Sequence, residues 1–326
     1  MGLAERAKAR VQWEGATVLP PFRPAALLQL AKLSAQLGHY QASLDQVQKA
    51  LEEAPHMIKG GGMEVALLRH LGKTVQASER CARWQQLDPP NSFLRYEAVK
   101  LGKEDPALWR HLAGDPEWVL ELAVDYMSLG MYGDAVELLA RQFPGEGVVG
   151  EPGAVLPQEY PLIAYYRGFC RQKLGESGRL DFELASRQST RYVFPNRAET
   201  LEVLGSALKT NPEDSIAHFL LGSLYMSTGH TDLALAEWQH ARKLKPDLPV
   251  LHRNLGMALL HGKSDPRQAS QVFKEGMRAD PTNLDGLLMK ALGQADEGNR
   301  LLQEALYLPD KRMSHYLSRA ALQQRF

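Results

Sequence analysis

Glycines and histidines recur at fixed spacing in the second half of the chain, and these residue types suit phosphate binding and metal binding, respectively. The stretch "LLGSLYMSTGHTDLALAEW" contains Gly222 and Gly229. A phosphate-binding loop of the G-x-x-x-x-G-K-[ST] type follows a strand and ends in Lys-Ser or Lys-Thr, whereas this stretch follows a helical pattern and has no lysine. We therefore predict that Gly222 packs closely against a paired helix that carries Ala234. Gly229 is predicted to end its helix in the left-handed conformation, which costs glycine least.

The two histidines at corresponding positions, His218 and His252, stand 34 residues apart. Adjacent helices lie about 8–10 Å apart, which is long for two side chains that share a metal, and no Cys or carboxylate stands at ligand spacing. Both histidines are interpreted as partly buried substitutes for aromatic side chains. The chain also lacks the Gly-x-Ser-x-Gly turn of serine hydrolases. The sequence therefore predicts no catalytic residue, no metal and no cofactor, and hence a protein that is not an enzyme.

Charge and composition exclude several classes of partner. The 326 residues include 38 basic and 38 acidic side chains, a balance that gives no electrostatic footprint for nucleic acid or an anionic membrane. No run of about 18 apolar residues is present, so no membrane-spanning segment is predicted, and the first residues lack the apolar run of a secretion signal. Two cysteines, Cys81 and Cys170, are too few for a disulfide framework and indicate a reducing compartment. A cytoplasmic protein is expected.

A period of about 34 residues runs through the chain and determines its predicted architecture. At a shift of 34, glycines, small residues and prolines coincide in both halves of the sequence, in the pairs Gly222 and Gly256, Gly38 and Gly72, Ser43 and Ala77, and Pro55 and Pro89. At a shift of 35, Ala234, Trp238 and Pro246 coincide with Ala269, Phe273 and Pro281. The extra residue falls in a turn, where an insertion costs little. This period predicts a repeat built from two helices.

The repeat resembles the tetratricopeptide family, and the unit Ser215–Leu248 carries the match best. The family pattern of Leu-Gly, an aromatic residue, a turn glycine, Ala, an aromatic residue, Ala and a closing Pro corresponds here to Leu221-Gly222, Tyr225, Gly229, Ala234, Trp238, Ala241 and Pro246. His218 departs from the pattern, at a position usually filled by a large apolar residue. The resemblance implies an all-α, right-handed superhelical solenoid of antiparallel helix pairs, stabilised by contacts between neighbouring repeats.

The order of four segments resembles a narrower group, bacterial proteins in which helical repeats follow a large N-terminal domain of unknown function. The segments are "VLELAVDYMSLGMYGDAVELL", "RYVFPNRAETLEVL", "HFLLGSLYMSTGHTDLALAEW" and "VLHRNLGMALL". In that group the N-terminal domain is similar to the β-supersandwich of some carbohydrate-processing enzymes, and nothing in these residues corresponds to it. The resemblance implies one alternative function, a helical accessory region of a carbohydrate-active enzyme.

Glycines, prolines and the repeat predict the organisation of the chain. Residues 1–23 are predicted as an N-terminal extension, 24–143 as N-terminal repeats with a degenerate insert of two short helices at 92–114, and 144–158 as a Gly/Pro-rich loop. C-terminal repeats follow over 159–283, with an extra helix at 196–209, and 284–326 are predicted as capping helices. In "KGGGMEV", three glycines are expected to delay or fray the first helix of the second repeat.

The predicted binding surface is the concave face of the stack. In the tetratricopeptide family the first helix of each pair lines a groove, and the second, fifth, ninth and twelfth positions of the repeat point into it. Carried onto this sequence, the resemblance implies an apolar stripe that includes Tyr165, Phe169, Phe219, Ser223, Met226 and Met257, with Arg253 and Asn254 supplying hydrogen bonds. Aromatic and methionine side chains make good contact surface for another chain.

The resulting prediction is a non-catalytic scaffold that binds a protein or peptide segment in this groove. Two alternatives stay open: the chain's own segments at 196–209 or 144–158 fill the groove, or the groove packs on a second copy in a homodimer. The Lys/Asn/Arg clamp with which some family members bind the C termini of chaperones is not matched. Its positions hold Phe219 and Ser223 here, and only Asn254 fits.

Overall fold

The computed structural model describes residues 3–145, 155–245, 247–263 and 265–279, and it confirms the predicted all-α fold. Within these ranges no strand occurs, and none of the helices is long and apolar enough to cross a bilayer. Short 3-10 turns lie at Pro20–Phe22 and Pro157–Glu159. The α-helices are α1 (Leu3–Ala16), α2 (Arg23–Gln36), α3 (Tyr40–Glu53), α4 (Ile58–His70), α5 (Thr74–Leu87), α6 (Ser92–Lys100), α7 (Pro106–Ala113), α8 (Pro116–Ser128), α9 (Tyr132–Leu139), α10 (Pro161–Lys173), α11 (Arg179–Ala185), α12 (Glu199–Thr210), α13 (Ser215–Ser227), α14 (Thr231–Leu244), α15 (Pro249–Gly262) and α16 (Pro266–Ala279).

The chain separates into two compact units. Of the described residues, 3–145, 155–159 and 170–178 belong to the first unit, and 160–169 together with those after 178 belong to the second. In the first unit, α2 packs on α3, α4 on α5 and α8 on α9. In the second unit, α13 packs on α14 and α15 on α16. Each of these pairs joins two successive helices through a short turn, as the repeat of two helices predicts.

The glycine that the repeat puts in the first helix of a pair is a packing residue. A Cβ atom added at Gly222 would lie 2.5 Å from Cδ1 of Trp238, and one added at Gly256 would lie 2.1 Å from Cε1 of Phe273. Atoms in a close-packed interior do not approach so closely, so these glycines allow the aromatic ring of the second helix to rest on the backbone of the first. The prediction of close helix packing at Gly222 is confirmed. Gly229 has a φ of 80°, which is the left-handed conformation predicted for it.

The three glycines of α4 do not delay the helix, so the expectation drawn from their low helix propensity is wrong. The helix begins at Ile58 and includes Gly60, Gly61 and Gly62. A Cβ atom at Gly61 would lie 2.2 Å from Cδ2 of Trp84, so the indole occupies the space that a side chain would need. Each glycine costs about 1 kcal/mol against alanine. Burial of a large apolar side chain contributes about 1.5–3 kcal/mol, and this tertiary packing offsets the poor propensity.

The predicted insert at 92–114 forms α6 and α7. Asp105 caps α7, because its Oδ1 accepts a hydrogen bond from the Leu108 amide at 2.9 Å and Pro106 opens the helix. Arg95 of α6 donates two hydrogen bonds to the same carboxylate, at 2.8 and 2.7 Å. The Arg95 guanidinium lowers the pKa of Asp105, and the amides of the cap lower it further. A single carboxylate thus starts one helix of the insert and ties it to the other.

The predicted extra helix at 196–209 is α12, which begins at Glu199. The hydroxyl groups of Tyr166 on α10 and Thr200 on α12 form a hydrogen bond of 2.7 Å. Thr200 stands 34 residues before Ala234. The hydrogen bond joins α12 to α10 at this point, and Thr200 stands where the period would place the small residue of a second helix. The short helix α11 and residues 186–198 lie between α10 and α12 in the chain.

Several predictions fall on residues outside the described ranges. They are the closing prolines Pro246 and Pro281, the capping helices at 284–326, and most of the Gly/Pro-rich loop at 144–158. These stay predictions, as do the boundaries given above for the extension and for the two sets of repeats.

A buried cluster of charged side chains joins α4, α6, α8 and α9 in the first unit. The Glu97 carboxylate is fully buried, accepts hydrogen bonds from Arg69 at 2.8 and 3.0 Å, and accepts another from the Tyr126 hydroxyl at 2.5 Å. Arg69 also pairs with Asp134 at 2.9 Å. Burial raises the pKa of Tyr126, and the negative charge of Glu97 raises it further. Removing one member would leave a buried charge without its partner, so the cluster fixes how these helices meet.

Candidate functional site

The first unit contains a pocket of about 330 Å³ on the inner side of its first helices. Residues of α2, α4 and α8 form most of its wall, and the turn that leads into α6 forms the rest. The lining consists of Lys32, Ile58, Lys59, Gly62, Met63, Asp88, Asn91, Phe93, Glu121, Asp125, Ser128 and Leu129. Four elements that are far apart in the sequence therefore share one cavity.

One end of this pocket is bounded where the end of α8 meets the end of α2. The side-chain amide of Gln36 donates a hydrogen bond to the backbone carbonyl oxygen of Ser128 at 3.3 Å. Gly130 follows with a φ of 67°, and a Cβ atom there would lie 3.1 Å from both the Ala35 carbonyl oxygen and the Gln36 Cα. Both the backbone conformation and the close contact require glycine at this position. The cavity is therefore a bounded pocket at this end.

The pocket has an apolar floor. Met63 and Leu129 are buried, while Ile58 and Phe93 are partly exposed to the cavity. The Phe93 ring packs on the ring of Tyr126, with centroids 4.9 Å apart, so it is held by the residue that also binds Glu97. Gly62 adds no side chain, and the Phe93 ring rests against its backbone; a Cβ atom there would lie 3.0 Å from the ring. An apolar side chain of moderate size fits such a floor.

Charged side chains of opposite sign line different walls. Lys32 and Lys59 come from α2 and α4, whereas Glu121 and Asp125 stand one turn apart on α8. Between the two walls, the Lys59 ammonium lies 3.9 Å from Asp125, and the Lys59 side chain is 65% exposed. Asp88 adds a third carboxylate. The lining thus carries three carboxylates against two ammonium groups.

A second cavity, of about 350 Å³, lies between α3, α4 and α5 of the same unit. Its buried acid is Glu64, which accepts a hydrogen bond from the Trp84 indole at 3.2 Å and pairs with Arg80 at 3.5 Å. Both oxygens of the Glu64 carboxylate already have partners, so neither is available to a ligand. This cavity is therefore a weaker candidate for a binding site than the pocket on the inner side.

Three of the predicted groove residues in the second unit are buried. Tyr165, Phe169 and Phe219 are each at most 4% exposed. The Tyr165 hydroxyl donates a hydrogen bond to Asp214 at 2.9 Å, and Asp214 in turn caps α13. The Phe219 carbonyl oxygen accepts a hydrogen bond from the Trp238 indole at 3.1 Å. These three side chains serve the interior of the second unit, and a partner would meet other residues first.

The other five predicted groove residues keep exposed surface. On α13 they are Ser223, whose hydroxyl donates to the Phe219 carbonyl oxygen at 2.9 Å, and Met226. On α15 they are Arg253, Asn254 and Met257. Arg253 donates hydrogen bonds of 3.3 Å to the Asn254 side-chain oxygen. The two residues predicted to orient a partner, Arg253 and Asn254, therefore bind partly to each other. Whether this stripe binds a partner stays a prediction.

The rule that located the stripe in the second unit also identifies residues of the pocket in the first. Lys59 and Gly62 stand at the second and fifth positions of the repeat that begins at Ile58, and Lys32 stands at the ninth position of the repeat that begins at Pro24. In the second unit the residues at these positions form an apolar stripe, which is the pattern expected of a binding groove. In the first unit the same positions hold lysines and a glycine, so the expectation of an apolar stripe did not indicate this pocket.

The histidines that suggested a metal have other roles. His218 Nδ1 lies 2.6 Å from the Glu237 carboxylate, and Nε2 lies 2.9 Å from the Pro212 carbonyl oxygen. His252 is buried beside Gly276, where a Cβ atom would lie 2.7 Å from the His252 Cβ. In the part of the chain that the structure describes, no three His, Cys, Asp or Glu side chains cluster closely enough to hold a metal ion.

Comparison with known proteins agrees with these helix pairs in one part of the chain. Residues 196–249, which span α12 to α14, match the family model of the tetratricopeptide repeat. No curated protein sequence matches the chain. The resemblance to bacterial proteins with a large N-terminal domain stays a prediction.

Among solved structures, the chain is similar to three helical proteins at low identity. YrrB, described as a TPR protein with an unusual peptide-binding site, is 16% identical over 75% of this chain and 97% of its own, with a TM-score of 0.29. TTC0263, a thermophilic TPR protein of Thermus thermophilus, is 17% identical over 64% of this chain and 100% of its own, with a TM-score of 0.35. The human IFIT1 dimer with PPP-AAAA is 14% identical over 100% of this chain and 86% of its own, with a TM-score of 0.38.

Proposed function

We propose that the chain is a non-catalytic scaffold that binds a short segment of a protein or peptide in the pocket of the first unit. The observation that carries this proposal is a cavity with an apolar floor and charged walls, bounded at one end where the end of α8 meets the end of α2. Protein pockets that bind ligands combine a mostly apolar surface with a few polar groups that fix orientation. The two free cysteines, both buried, support a cytoplasmic location as part of the same proposal.

The dimensions of the pocket favour a short extended segment over a helix. Its volume of about 330 Å³ lies at the lower end of the range for ligand sites, which is about 300–1,000 Å³. A helix with its side chains is about 10–12 Å across, and the contact of Gln36 and Gly130 with neighbouring backbone bounds one end of the pocket. One or two side chains of an extended segment fit this space.

The predicted stripe in the second unit is a second candidate for the same function. Met226 and Met257 keep exposed surface on two successive first helices, and exposed methionines adapt to varied partners. Neither the homodimer nor an accessory role beside a carbohydrate-active domain has a specific observation in its favour.

The proposal is tested by selecting a random peptide library, displayed on phage, against the full chain. Enriched peptides are synthesised, and their affinities are measured for the wild type and for Ser128→Phe, which fills the pocket. The matched control is Ser78→Phe, at a half-buried serine of α5 that lines neither cavity. We expect Ser128→Phe to weaken binding at least about tenfold, equivalent to about 1.4 kcal/mol, and the control to leave it unchanged.

A double variant distinguishes the two surfaces. If Met226→Glu with Met257→Glu abolishes binding while Ser128→Phe does not, the stripe of the second unit is the site and the pocket is discarded. If no peptide is enriched, or if neither variant changes the affinity, the proposed function is wrong. Circular dichroism and melting temperature check folding. If Ser128→Phe unfolds the protein, Lys59→Trp replaces it, because that lysine side chain is 65% exposed.

A further inference from the structure

We propose that the second unit carries a further binding surface, on α11 and on the connector of residues 186–198 that leads to α12, and that it binds an acidic segment of another protein. The surface combines exposed arginines with exposed aromatic and aliphatic side chains, and its members are Leu180, Leu184, Arg187, Arg191, Tyr192 and Phe194. It shares no residue with the pocket of the first unit and does not depend on the function proposed for that pocket.

The connector presents two aromatic side chains to solvent on a backbone that is held in place. Side chains of residues 192–196 are alternately exposed and buried, and Val193 and Pro195 are the buried ones. In an extended segment alternate side chains point to the same side, so Tyr192 and Phe194 face outward together. The Phe194 side chain is 69% exposed. Tyr192 has a φ of 60°, and such strain in a residue other than glycine persists only where the surrounding structure holds it.

The short helix α11 adds exposed aliphatic side chains. Leu180 and Leu184 are 74% and 44% exposed, and residues four apart lie on the same side of a helix, whereas Phe182 is buried. The Arg187 amide donates a hydrogen bond to the Leu184 carbonyl oxygen at 3.1 Å, which continues the helical turn. Four large apolar side chains are therefore exposed between residues 180 and 194. Exposed apolar side chains that cluster in this way indicate a surface that meets another molecule.

The same stretch of chain is basic. Residues 184–198 include three arginines and no acidic residue. Arg187 and Arg191 are exposed, and their side chains form no ion pair or hydrogen bond within the described ranges. The two carboxylates of α11, Asp181 and Glu183, are paired with other arginines. Carboxylates of a partner would supply the opposite charge, and the planar guanidinium group binds a carboxylate through two parallel hydrogen bonds.

The aliphatic side chains favour protein over nucleic acid as the partner. Arginines and aromatic rings also bind single-stranded nucleic acid, whose bases stack on the rings. Leu180 and Leu184 offer no such stacking platform, whereas they pack well against apolar side chains of a protein. An acidic segment with apolar side chains between its carboxylates therefore complements this surface in both charge and hydropathy.

The probes are acetyl-Glu-Leu-Glu-Leu-Glu-amide, the corresponding peptides with Gln or Lys in place of Glu, acetyl-Glu-Ser-Glu-Ser-Glu-amide, and a decamer of deoxythymidine. Each is titrated into the full chain and followed by nuclear magnetic resonance. We expect the Glu-Leu peptide to bind at least about tenfold more tightly than the Gln-Leu and Glu-Ser peptides, and the Lys-Leu peptide not to bind. The preference for Glu over Gln should shrink at high salt.

Substitution of the arginines tests the electrostatic part. Arg187→Gln with Arg191→Gln should weaken binding of the Glu-Leu peptide at least about tenfold. The matched control is Arg110→Gln with Arg267→Gln, at two exposed arginines outside this surface, and it should leave the affinity unchanged.

Substitution of the aromatic residues tests the apolar part. Phe194→Ser should weaken binding about tenfold, whereas Phe22→Ser, at a phenylalanine of the first unit that is 61% exposed, should not. Tyr192→Gly should weaken binding without lowering the melting temperature, because glycine adopts the left-handed conformation without strain. Circular dichroism checks that each variant is folded.

Several outcomes would overturn the inference. They are equal affinity for the Glu-Leu and Gln-Leu peptides, no effect of the arginine pair, binding of the decamer alone, and a dimer that Phe194→Ser dissociates. If Ser128→Phe abolishes binding of the Glu-Leu peptide and Phe194→Ser does not, the peptide occupies the pocket of the first unit. The inference then falls, while the function proposed for the pocket stands.

Discussion

At the scale of single residues, His218 illustrates how a departure from the repeat pattern is accommodated. Its two ring nitrogens face two acceptors, the Glu237 carboxylate and the Pro212 carbonyl oxygen. A neutral imidazole has only one N–H, so the protonated ring alone satisfies both. Burial lowers the pKa of His218, but these hydrogen bonds and the charges of Glu237 and Asp214 outweigh burial, and the pKa is raised. The ring of His240 also faces His218, and the centroids of the two rings are 4.3 Å apart.

This arrangement predicts a pH-dependent contribution to stability. Because the pKa of His218 is higher in the folded than in the unfolded chain, its contribution is complete below about pH 6.5 and is lost as pH rises through the folded value. His218→Phe should cost about 1–3 kcal/mol at pH 6 through loss of charge-assisted hydrogen bonds, and less at pH 9. Urea unfolding of both proteins at the two pH values measures the difference.

A matched substitution at an exposed histidine is the control for this prediction. His56 is exposed and belongs to no such pair among the described residues. The stability cost of His56→Phe should therefore be the same at pH 6 and pH 9. An equal cost of His218→Phe at both pH values would contradict the assignment, as would a folded pKa at or below about 6.5 in a titration of the ring resonances.

At the scale of helices, the pairing within a repeat depends on small residues of the first helix facing large ones of the second. The second pair of the first unit and both complete pairs of the second unit use a glycine beneath an aromatic ring. The repeat that α10 begins differs, because a tyrosine hydroxyl and Thr200 meet there through a hydrogen bond of 2.7 Å.

Two glycine substitutions that are expected to change the free energy of unfolding in opposite directions test this account of pairing. Gly222→Ala should destabilise by about 1–3 kcal/mol, because the new methyl group meets the Trp238 ring and the core has no space for it. Gly205→Ala on α12 has nothing within 4 Å of the new atom and should stabilise by about 0.5–1 kcal/mol through higher helix propensity. Denaturant unfolding measures both. If both variants changed the free energy of unfolding in the same direction, the packing role of Gly222 would be refuted.

At the scale of the whole molecule, packing of the helices buries both cysteines and excludes reagents from them. Cys81 and Cys170 are buried, and burial raises the pKa of Cys81 to about 11 and that of Cys170 to about 12. The reactive thiolate is therefore scarce at pH 8, and access requires opening of packed helices.

Thiol labelling with a disulfide reagent at pH 8 should consequently be slow in the native protein and complete for both cysteines in guanidinium chloride. Native protection of at least about a hundredfold is expected from burial together with the raised pKa values. Rapid native labelling of either thiol, located by mass spectrometry of the digested protein, would contradict the packing described for that helix.

The sequence by itself determined the helix pairs. The period near 34 residues, the close packing of Gly222 on its paired helix, and the left-handed conformation of Gly229 all follow from local spacing and conformational preference, and each is found in the structure. The α4 helix shows the limit of local preference, because its three glycines predict a frayed start and Trp84 fills the space they leave.

Only the tertiary structure decided which residues of the inner faces are accessible. Tyr165 and Phe219 match the groove positions of the repeat, yet they are buried. The pocket of the first unit depends on the contact between Gln36 and Ser128, which are 92 residues apart in the chain. A repeat period sets the direction of each side chain relative to its own helix. Its exposure depends on distant helices, and the packing of those helices is fixed by contacts that no single repeat contains.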